Sequence, residues 1–319
     1  MGAMATAAVA FLLENVMNLS PQQKAELARE RLPLFKRLMA SCRLCPRECD
    51  AKRFAGEFGE CGLGPDLRVM SAHLHPGEEP AVSGTRGSGT VFFSGCNLAC
   101  LFCQNYDISH EQLGRETTPE HLGQRMLQLQ DLGAHNINLV TPTPQIMRIV
   151  EALIYAWEKG LTIPIVYNCG GYESLETLKL LDGLIDVYMP DLKYGRDELG
   201  VVSGVSDYST RATAALKEMW RQVGPLKVDD EGIAIRGLIV RHLVLPNEKS
   251  GTEQVLRWLA GELGREVTVS LMSQFHPMYR ADEASGLDRR LTNEEYWKAT
   301  DLLEELGLEN GWVQEDPGM

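Results

Sequence analysis

From residue 89 onward, short runs of β-branched and apolar residues alternate with longer segments whose apolar residues recur at helical spacing. The runs are Thr90–Phe93, Ile137–Thr141, Ile163–Tyr167, Val187–Met189, Leu238–Leu245 and Thr268–Met272. Between them the spacing predicts helices near 118–132, 144–159, 174–183, 208–223 and 251–264. A parallel strand pair needs a long crossover, and a right-twisted sheet accepts one hand of it, so this alternation predicts right-handed βαβ units. The expected class is α/β. Six strands and five helices fit a partial (β/α)6 barrel over residues 89–280, and a doubly wound open sheet satisfies the same periodicity.

The flanking segments read differently. Residues 5–41 predict two helical segments, the second opening at Ser20-Pro21 with serine as N-cap and proline in the first turn. Leu27, Leu34, Phe35 and Leu38 share one face of it, and Pro33 is expected to bend or break it. Residues 42–62 carry four cysteines, and 63–88, rich in Gly, Pro and Ser without a period, read as loop. Residues 1–88 thus form an expected small helical and cysteine-rich, metal-binding segment. In 281–319 a last helix starts at Thr292 and stops near Gly307, with an ordered strip after it.

Composition narrows the function classes. The chain has 319 residues, 44% hydrophobic and 24% charged, which is ordinary for a globular protein. Its 31 Lys and Arg against 44 Asp and Glu give a net charge of −13, which disfavours nucleic acid as a partner. No apolar run approaches the ~20 residues of a membrane span, so no membrane association is expected. The apolar start, Met1–Leu13, lacks a basic flank and is interrupted by Glu14, which argues against a signal peptide. Grouped cysteines without a secretion signal point to a reducing cytoplasm and to metal binding rather than disulfides.

Seven of the eight cysteines fall in two groups. Cys96, Cys100 and Cys103, spaced C-x-x-x-C-x-x-C, sit on one short loop directly after the first barrel strand. Three thiolates can each hold one iron of a [4Fe–4S] cube and leave the fourth iron open for chemistry, whereas a fully ligated cluster mostly moves electrons. Zinc at this loop would ask for a fourth protein ligand. Cys42, Cys45, Cys49 and Cys61 suit either a second [4Fe–4S] cluster that relays electrons or a structural Zn that staples a segment too small for its own core.

Functional groups in parallel α/β architectures gather past the C-terminal ends of the strands. Those positions hold Thr141 and Thr143, Asn168 and Cys169, Asp191 and Lys193, Arg241 and His242, and Gln274-Phe275-His276. Polar groups on the side of the cysteine loop are what a zwitterionic, nucleoside-bearing cofactor needs.

The cysteine loop resembles the signature of the radical S-adenosylmethionine (SAM) superfamily, including the aromatic Phe102 before the last cysteine. Residues 89–277 resemble its pyruvate formate-lyase activating enzyme branch. Three further segments are similar to a cysteine-rich subgroup called pyruvate formate-lyase activating enzyme-like: Cys42-Arg43-Leu44-Cys45-Pro46-Arg47-Glu48-Cys49, Gly77-Glu78-Glu79-Pro80 and Asn310-Gly311-Trp312-Val313-Gln314-Glu315. The resemblance implies an oxidoreductase of the partial-barrel fold. Cys96, Cys100 and Cys103 would hold the cluster, and SAM would chelate its open iron. Reductive cleavage would then give methionine and a 5′-deoxyadenosyl radical that abstracts a substrate hydrogen. Carried over by motif, Thr141 and Thr143 stand at the SAM amino group, and Asp191 with Lys193 stands at its carboxylate. Arg241 looks toward the SAM site from strand five, and His276 stands at the sugar side. Asn168-Cys169 replaces an Asp-Thr pair that helps hold a monovalent cation in that branch, which weakens the case for such a cation here.

The most specific activity the resemblance implies is hydrogen abstraction from a glycine Cα, activating a glycyl radical enzyme with electrons from a flavodoxin or ferredoxin. The rivals are a radical SAM enzyme modifying a small molecule or peptide, and a two-cluster electron-transfer or assembly protein. Cys169 reads as a small buried strand-end residue, with redox participation as the alternative. Glu78 and Glu79 read as a solvated loop pair, with a substrate role as the alternative. His242 reads as an ordinary core or surface histidine.

Overall fold

The computed structural model describes residues 19–314, so the first expected helical segment and Glu315 lie outside the described residues. The sheet contains β1 (Leu67–His75), β2 (Ser88–Phe93), β3 (Arg115–Thr117), β4 (Ile137–Val140), β5 (Ile165–Cys169), β6 (Val187–Pro190), β7 (Lys227–Val228), β8 (Ala234–Leu243), β9 (Thr268–Met272) and β10 (Gly311–Val313). The longer helices are α1 (Pro21–Ala40), α2 (Pro119–Asp131), α3 (Ile146–Glu158), α4 (Leu175–Leu181), α5 (Tyr208–Val223), α6 (Thr252–Trp258) and α7 (Asn293–Glu305). Strands β2, β4, β5, β6, β8 and β9 are parallel neighbours in chain order. Every crossover steps one place in the same direction. The order lacks the reversal that a doubly wound sheet carries.

Strand alternation builds two apolar faces. Ile137, Leu139, Ile165, Tyr167, Leu238 and Val240 join the helices in the main core. Val166, Val187, Met189 and Ile239 point the other way and form a second cluster with Ala81 and Val82. Side chains two residues apart share a face, so Asn168, Asp191 and Arg241 follow Val166, Met189 and Ile239 onto this inner face, at the C-terminal end of the strands. Cys169 belongs with Tyr167 on the helix side.

Three expectations are corrected. Residues 63–88 are not simply loop: β1 pairs antiparallel with β2, so the sheet begins before residue 89. A register shift between Val69 and Ser71 and partial exposure along β1 hide the alternation. After β1 the short helical turn Pro80–Ser83 buries Ala81 and Val82 against the inner face. Secondly, α1 runs through Pro33. An interior proline costs about 3 kcal/mol. Here Ala25, Ala28, Phe35, Leu38 and Met39 form one buried face on both sides of Pro33, which packs mainly on α3 and offsets that loss. Thirdly, Glu78 and Glu79 are not a solvated pair: Pro76, Gly77 and Pro80 are exposed, but both glutamate side chains turn inward.

The helix ends follow their sequence. Ser20 accepts the Gln23 N–H while the Gln23 side chain accepts the Ser20 N–H, and Thr292 and Glu295 repeat this box at α7. Such boxes satisfy two orphan amides each. Gly307 has φ +69° after α7, and the strip beyond it is β10, parallel to β9. Among the described residues no helix is long and apolar enough to cross a membrane.

Candidate active site

The cysteine loop leaves β2 through Gly95, whose φ is +77° and whose N–H donates to the Ile108 carbonyl at 2.9 Å. A Cβ there would stand 2.7 Å from the Leu63 side chain, so a larger residue would push the loop off its neighbour. The loop is tied to a distant segment: the Ala99 and Leu101 N–H groups donate to the Ser203 and Val202 carbonyls, both at 2.9 Å. Buried Asn97 donates its Nδ2 to the Tyr172 carbonyl at 2.5 Å.

Each thiol has a polar neighbour. Cys100 Sγ shares a hydrogen bond with Ser203 Oγ at 2.9 Å, Cys103 Sγ shares one with Ser109 Oγ at 3.1 Å, and the Leu98 N–H donates to Cys96 Sγ at 3.4 Å. Burial pushes the Cys96 thiol up to about 12, and the neighbouring Cys100 and Cys103 add to the rise. Burial raises Cys100 as well, and Lys193 opposes it. Thiols this close and this reluctant to ionise become thiolates when a cation compensates them, which is how metal binding releases protons. Phe102 turns into the core and meets Phe275 edge-on, ring centroids 5.7 Å apart.

Beside the thiols runs a charged chain along the inner face. Lys193 Nζ donates to Asp191 Oδ2 at 2.5 Å, Arg241 Nε donates to Asp191 Oδ1 at 2.9 Å, and Arg241 Nη2 donates to Asn168 Oδ1 at 2.7 Å. Glu78 closes it, with Oε2 3.5 Å from Asn168 Nδ2 and 3.8 Å from Arg241 Nη1. Burial alone would raise Asp191, but Arg241 and Lys193 outweigh it and hold the carboxylate low. Burial alone would lower Lys193, and Asp191 with the Cys100 sulfur outweighs that in turn. Glu78 is pushed up, because burial there exceeds the help from Arg241.

The other expected positions are less concentrated. Thr141 follows β4 with φ +58°, its N–H on the Asn168 carbonyl at 2.9 Å. Thr143 is buried and donates its hydroxyl to Glu173 Oε1 at 2.7 Å, so that hydroxyl is already engaged. His276 is half-buried on the segment after β9. Cys169 is buried on the helix side, its thiol raised by burial and by Glu173. His242 is a satisfied core histidine: Leu192 O accepts from Nδ1 at 2.6 Å, which leaves Nε2 to accept from the Thr252 hydroxyl at 3.0 Å.

Cys42, Cys45, Cys49 and Cys61 come together as free thiols next to the loop. A Cβ on Gly59 would stand 3.4 Å from both the Cys49 and Cys61 sulfurs. The backbone at Leu44, Arg47 and Leu63, each two residues on, lies near enough to the sulfurs of Cys42, Cys45 and Cys61 to favour their ionised form against the rise that burial imposes. Arg47 donates from Nε to the Asn97 carbonyl at 2.6 Å, linking the two cysteine groups directly. Fully buried Arg53 donates to the Gly64 carbonyl at 2.8 Å and to the Pro144 carbonyl at 2.6 Å.

Among the described residues no three His, Cys, Asp or Glu side chains converge as they would on a single ion. Tetrahedral zinc thiolate, with Zn–S near 2.3 Å, draws its sulfurs to about 3.8 Å from one another. A four-iron cube holds its thiolates farther apart. The Cys96, Cys100 and Cys103 donor set, with hydroxyls on two thiols and the Lys193 ammonium beside them, fits such a cube. Ser203, Ser109, Arg47, Arg53 and Glu173 had no sequence signal beyond their residue type, because each reaches its partner only through the fold.

The family model described as the radical SAM superfamily matches residues 90–259, more than half of the chain. An uncharacterized protein of Methanocaldococcus jannaschii is 32% identical over 297 residues, covering 90% of this chain and 81% of its own length. A second uncharacterized protein of the same organism is 27% identical over 259 residues, covering 75% of this chain and 71% of its own. Three thiols after the first parallel strand, a buried ion-pair chain beside them and these likenesses agree: the chain belongs to the radical SAM superfamily.

Proposed function

We propose that this protein is a radical SAM oxidoreductase whose inner sheet face, curved as a partial (β/α)6 barrel, holds SAM between the cysteine loop and the Asp191–Arg241 pair. The observation that carries the reading is Lys193, whose ammonium pairs with Asp191 and is near enough to Cys100 for each to feel the other's charge. Cys96, Cys100 and Cys103 would hold a [4Fe–4S] cluster, and that cluster, when bound with SAM, supplies reductive cleavage to methionine and a 5′-deoxyadenosyl radical. The chain's own groups bind and orient. Ser203 and Ser109 donate to sulfur once the thiols ionise. Lys193 offers a point charge to a carboxylate, Asp191 offers an acceptor to an ammonium, and Arg241 fixes Asp191 from the far side. Thr141, Asn168 and His276 complete the rim in this reading.

The finer parts rest on resemblance and position. Glycine Cα abstraction from a glycyl radical enzyme follows from the likeness to activating enzymes, with a flavodoxin or ferredoxin as electron donor. A second metal centre, cluster or zinc, at Cys42, Cys45, Cys49 and Cys61 is supported by their nearness to one another, with the Cys49 and Cys61 sulfurs meeting at Gly59 and the charges of Cys42 and Cys45 felt by their neighbours. The test is anaerobic reconstitution with iron and sulfide, then SAM and a strong reductant, with 5′-deoxyadenosine as readout. The wild type is expected to form it, and Lys193→Ala to weaken SAM binding by about tenfold, equal to about 1.4 kcal/mol. SAM affinity unchanged in Lys193→Ala would remove that residue from the site.

A further inference from the structure

Deeper along the same inner face lie polar groups that the cofactor reading leaves unused. Asn138 pairs in register with Val166 and Thr90, so its side chain shares the face of the inner apolar cluster. It is 0% exposed, yet neither its Nδ2 nor its Oδ1 has a hydrogen-bond partner. It lies close enough to Glu78 to favour that carboxylate without reaching hydrogen-bonding geometry. Glu79, 9% exposed, leaves its Oε2 equally unpartnered. Among the described residues no cation lies within 4 Å of its oxygens, although Arg241, which contacts Asp191 and Glu78, is near enough to feel its charge.

Neither side chain is there by slack. The Glu78 N–H donates to Ser83 Oγ at 2.9 Å, the Val82 and Ser83 N–H groups donate to the Glu79 carbonyl, and Asn136 Nδ2 donates to the Val82 carbonyl at 2.7 Å. The turn is held from both ends and plugs the inner face with Ala81 and Val82. A buried amide left without a partner costs about 1–3 kcal/mol. A buried carboxylate oxygen with no donor in contact costs more. Two such groups bordering one inner apolar cluster, Asn138 through its register partner Val166 and Glu79 through Ala81 and Val82, call for a ligand that completes them.

We propose that Asn138 and Glu79 form the substrate cradle of this site, and that its occupant is a small molecule carrying a primary ammonium next to a carbonyl group. The ammonium sits on Glu79, the carbonyl accepts from Asn138 Nδ2, and a remaining N–H donates to Asn138 Oδ1. Glu78 lies near both Arg241 and Asn138, and Glu79 is felt by Arg241 as well, so the bound molecule adjoins the cofactor groups at the strand ends. This rests on the proposed SAM site only for its purpose; the cradle itself is a property of the fold.

The test uses the purified full chain with glycinamide as probe and N-acetylglycinamide as its uncharged counterpart, reading the thermal unfolding midpoint. Glycinamide is expected to raise the midpoint of the wild type and to lose that effect in Glu79→Gln. Asn138→Leu, which replaces the unpaired amide by an apolar side chain of similar size, is expected to raise the midpoint of the ligand-free protein and to abolish the probe's shift. A lower midpoint in Asn138→Leu would overturn the cradle, because the amide would then be serving the fold. An equal glycinamide shift in Glu79→Gln, a shift from N-acetylglycinamide alone, or none from either probe would overturn the ammonium class. Formation of 5′-deoxyadenosine by the same preparations, measured separately, reads the SAM site: its absence from loaded wild type would sink that reading and leave the unfolding data standing.

Discussion

The two cysteine groups touch, yet they are built in opposite ways. The loop of Cys96, Cys100 and Cys103 is delivered by β2 and held from far along the chain, by Ser203, Val202 and Tyr172. The group of Cys42, Cys45, Cys49 and Cys61 is shaped by its own backbone, with left-handed residues Glu48, Asp50 and Gly56 turning the chain between sulfurs. Two arginines then fasten it to the rest, Arg47 to the loop and Arg53 to Pro144 just past β4. A thiol group placed by the sheet inherits the strand-end position where chemistry gathers. A group folded on local turns can be attached or lost as a unit.

The largest effect should come from breaking that comparison at its sulfurs. Cys100→Ala leaves two thiolates, too few to hold a cube with one open iron, and is expected to abolish 5′-deoxyadenosine formation. Cys45→Ala is expected to keep cleavage within about tenfold of wild type and to lower the unfolding midpoint instead. If Cys45→Ala also stopped cleavage while the cluster of the loop remained loaded, the two groups would be one functional unit and the contrast would fail.

The contrast also explains what could be read from the sequence. Cysteine spacing is a local signal, and so is the alternation of apolar runs, so the loop, the six parallel strands and the five helices between them were all legible. Parity within a strand could have sent Cys169 to the helix side and Asn168 to the inner face, once β5 was placed. Residues 76 to 80 misled because glycine, proline and paired glutamates read as solvent-facing. Only the packing of Ala81 and Val82 against the sheet turns the two glutamates inward. Arg53 carries the same lesson: nothing local marks it as buried, and its burial depends on the Gly64 and Pro144 carbonyls arriving from elsewhere. Pro33 shows the reverse case, a local signal for a break overruled by a buried face on both sides.

Next in size is the attachment itself. Arg53→Leu strands the Gly64 and Pro144 carbonyls in the interior, and each unsatisfied group costs about 1–3 kcal/mol. Urea denaturation should show a loss of about 3–5 kcal/mol. Arg53→Lys keeps a donor but cannot fork to both carbonyls, so its loss should be intermediate. An unchanged midpoint in Arg53→Leu would mean that the cysteine group is fastened by its apolar contacts and not by this guanidinium.

The smallest effect is also the one a single pH scan would hide. Glu173 lies near Cys45 and beside Cys169, wholly buried, accepting hydroxyls from Thr143 at 2.7 Å and Tyr167 at 3.0 Å. Burial lifts its carboxyl to about 7, against the pull of those hydrogen bonds. The folded protein therefore keeps a proton that the unfolded chain gives up near 4.5, and stability is lost as pH rises from there through 7. His242 does the opposite. Burial lowers it to about 4, from an ordinary 6.5. The unfolded chain takes up a proton that the folded protein refuses, so stability is lost as pH falls from 6.5 toward 4. Between about 4.5 and 6.5 the two slopes, each at most about 1.4 kcal/mol per pH unit, oppose each other and the wild type should look nearly flat. Glu173→Gln should unmask a midpoint that climbs with pH across that window, and His242→Gln one that falls. If both variants stay as flat as the wild type, neither group titrates differently in the folded chain, and the carboxyl beside the cysteines carries its charge through hydrogen bonds alone.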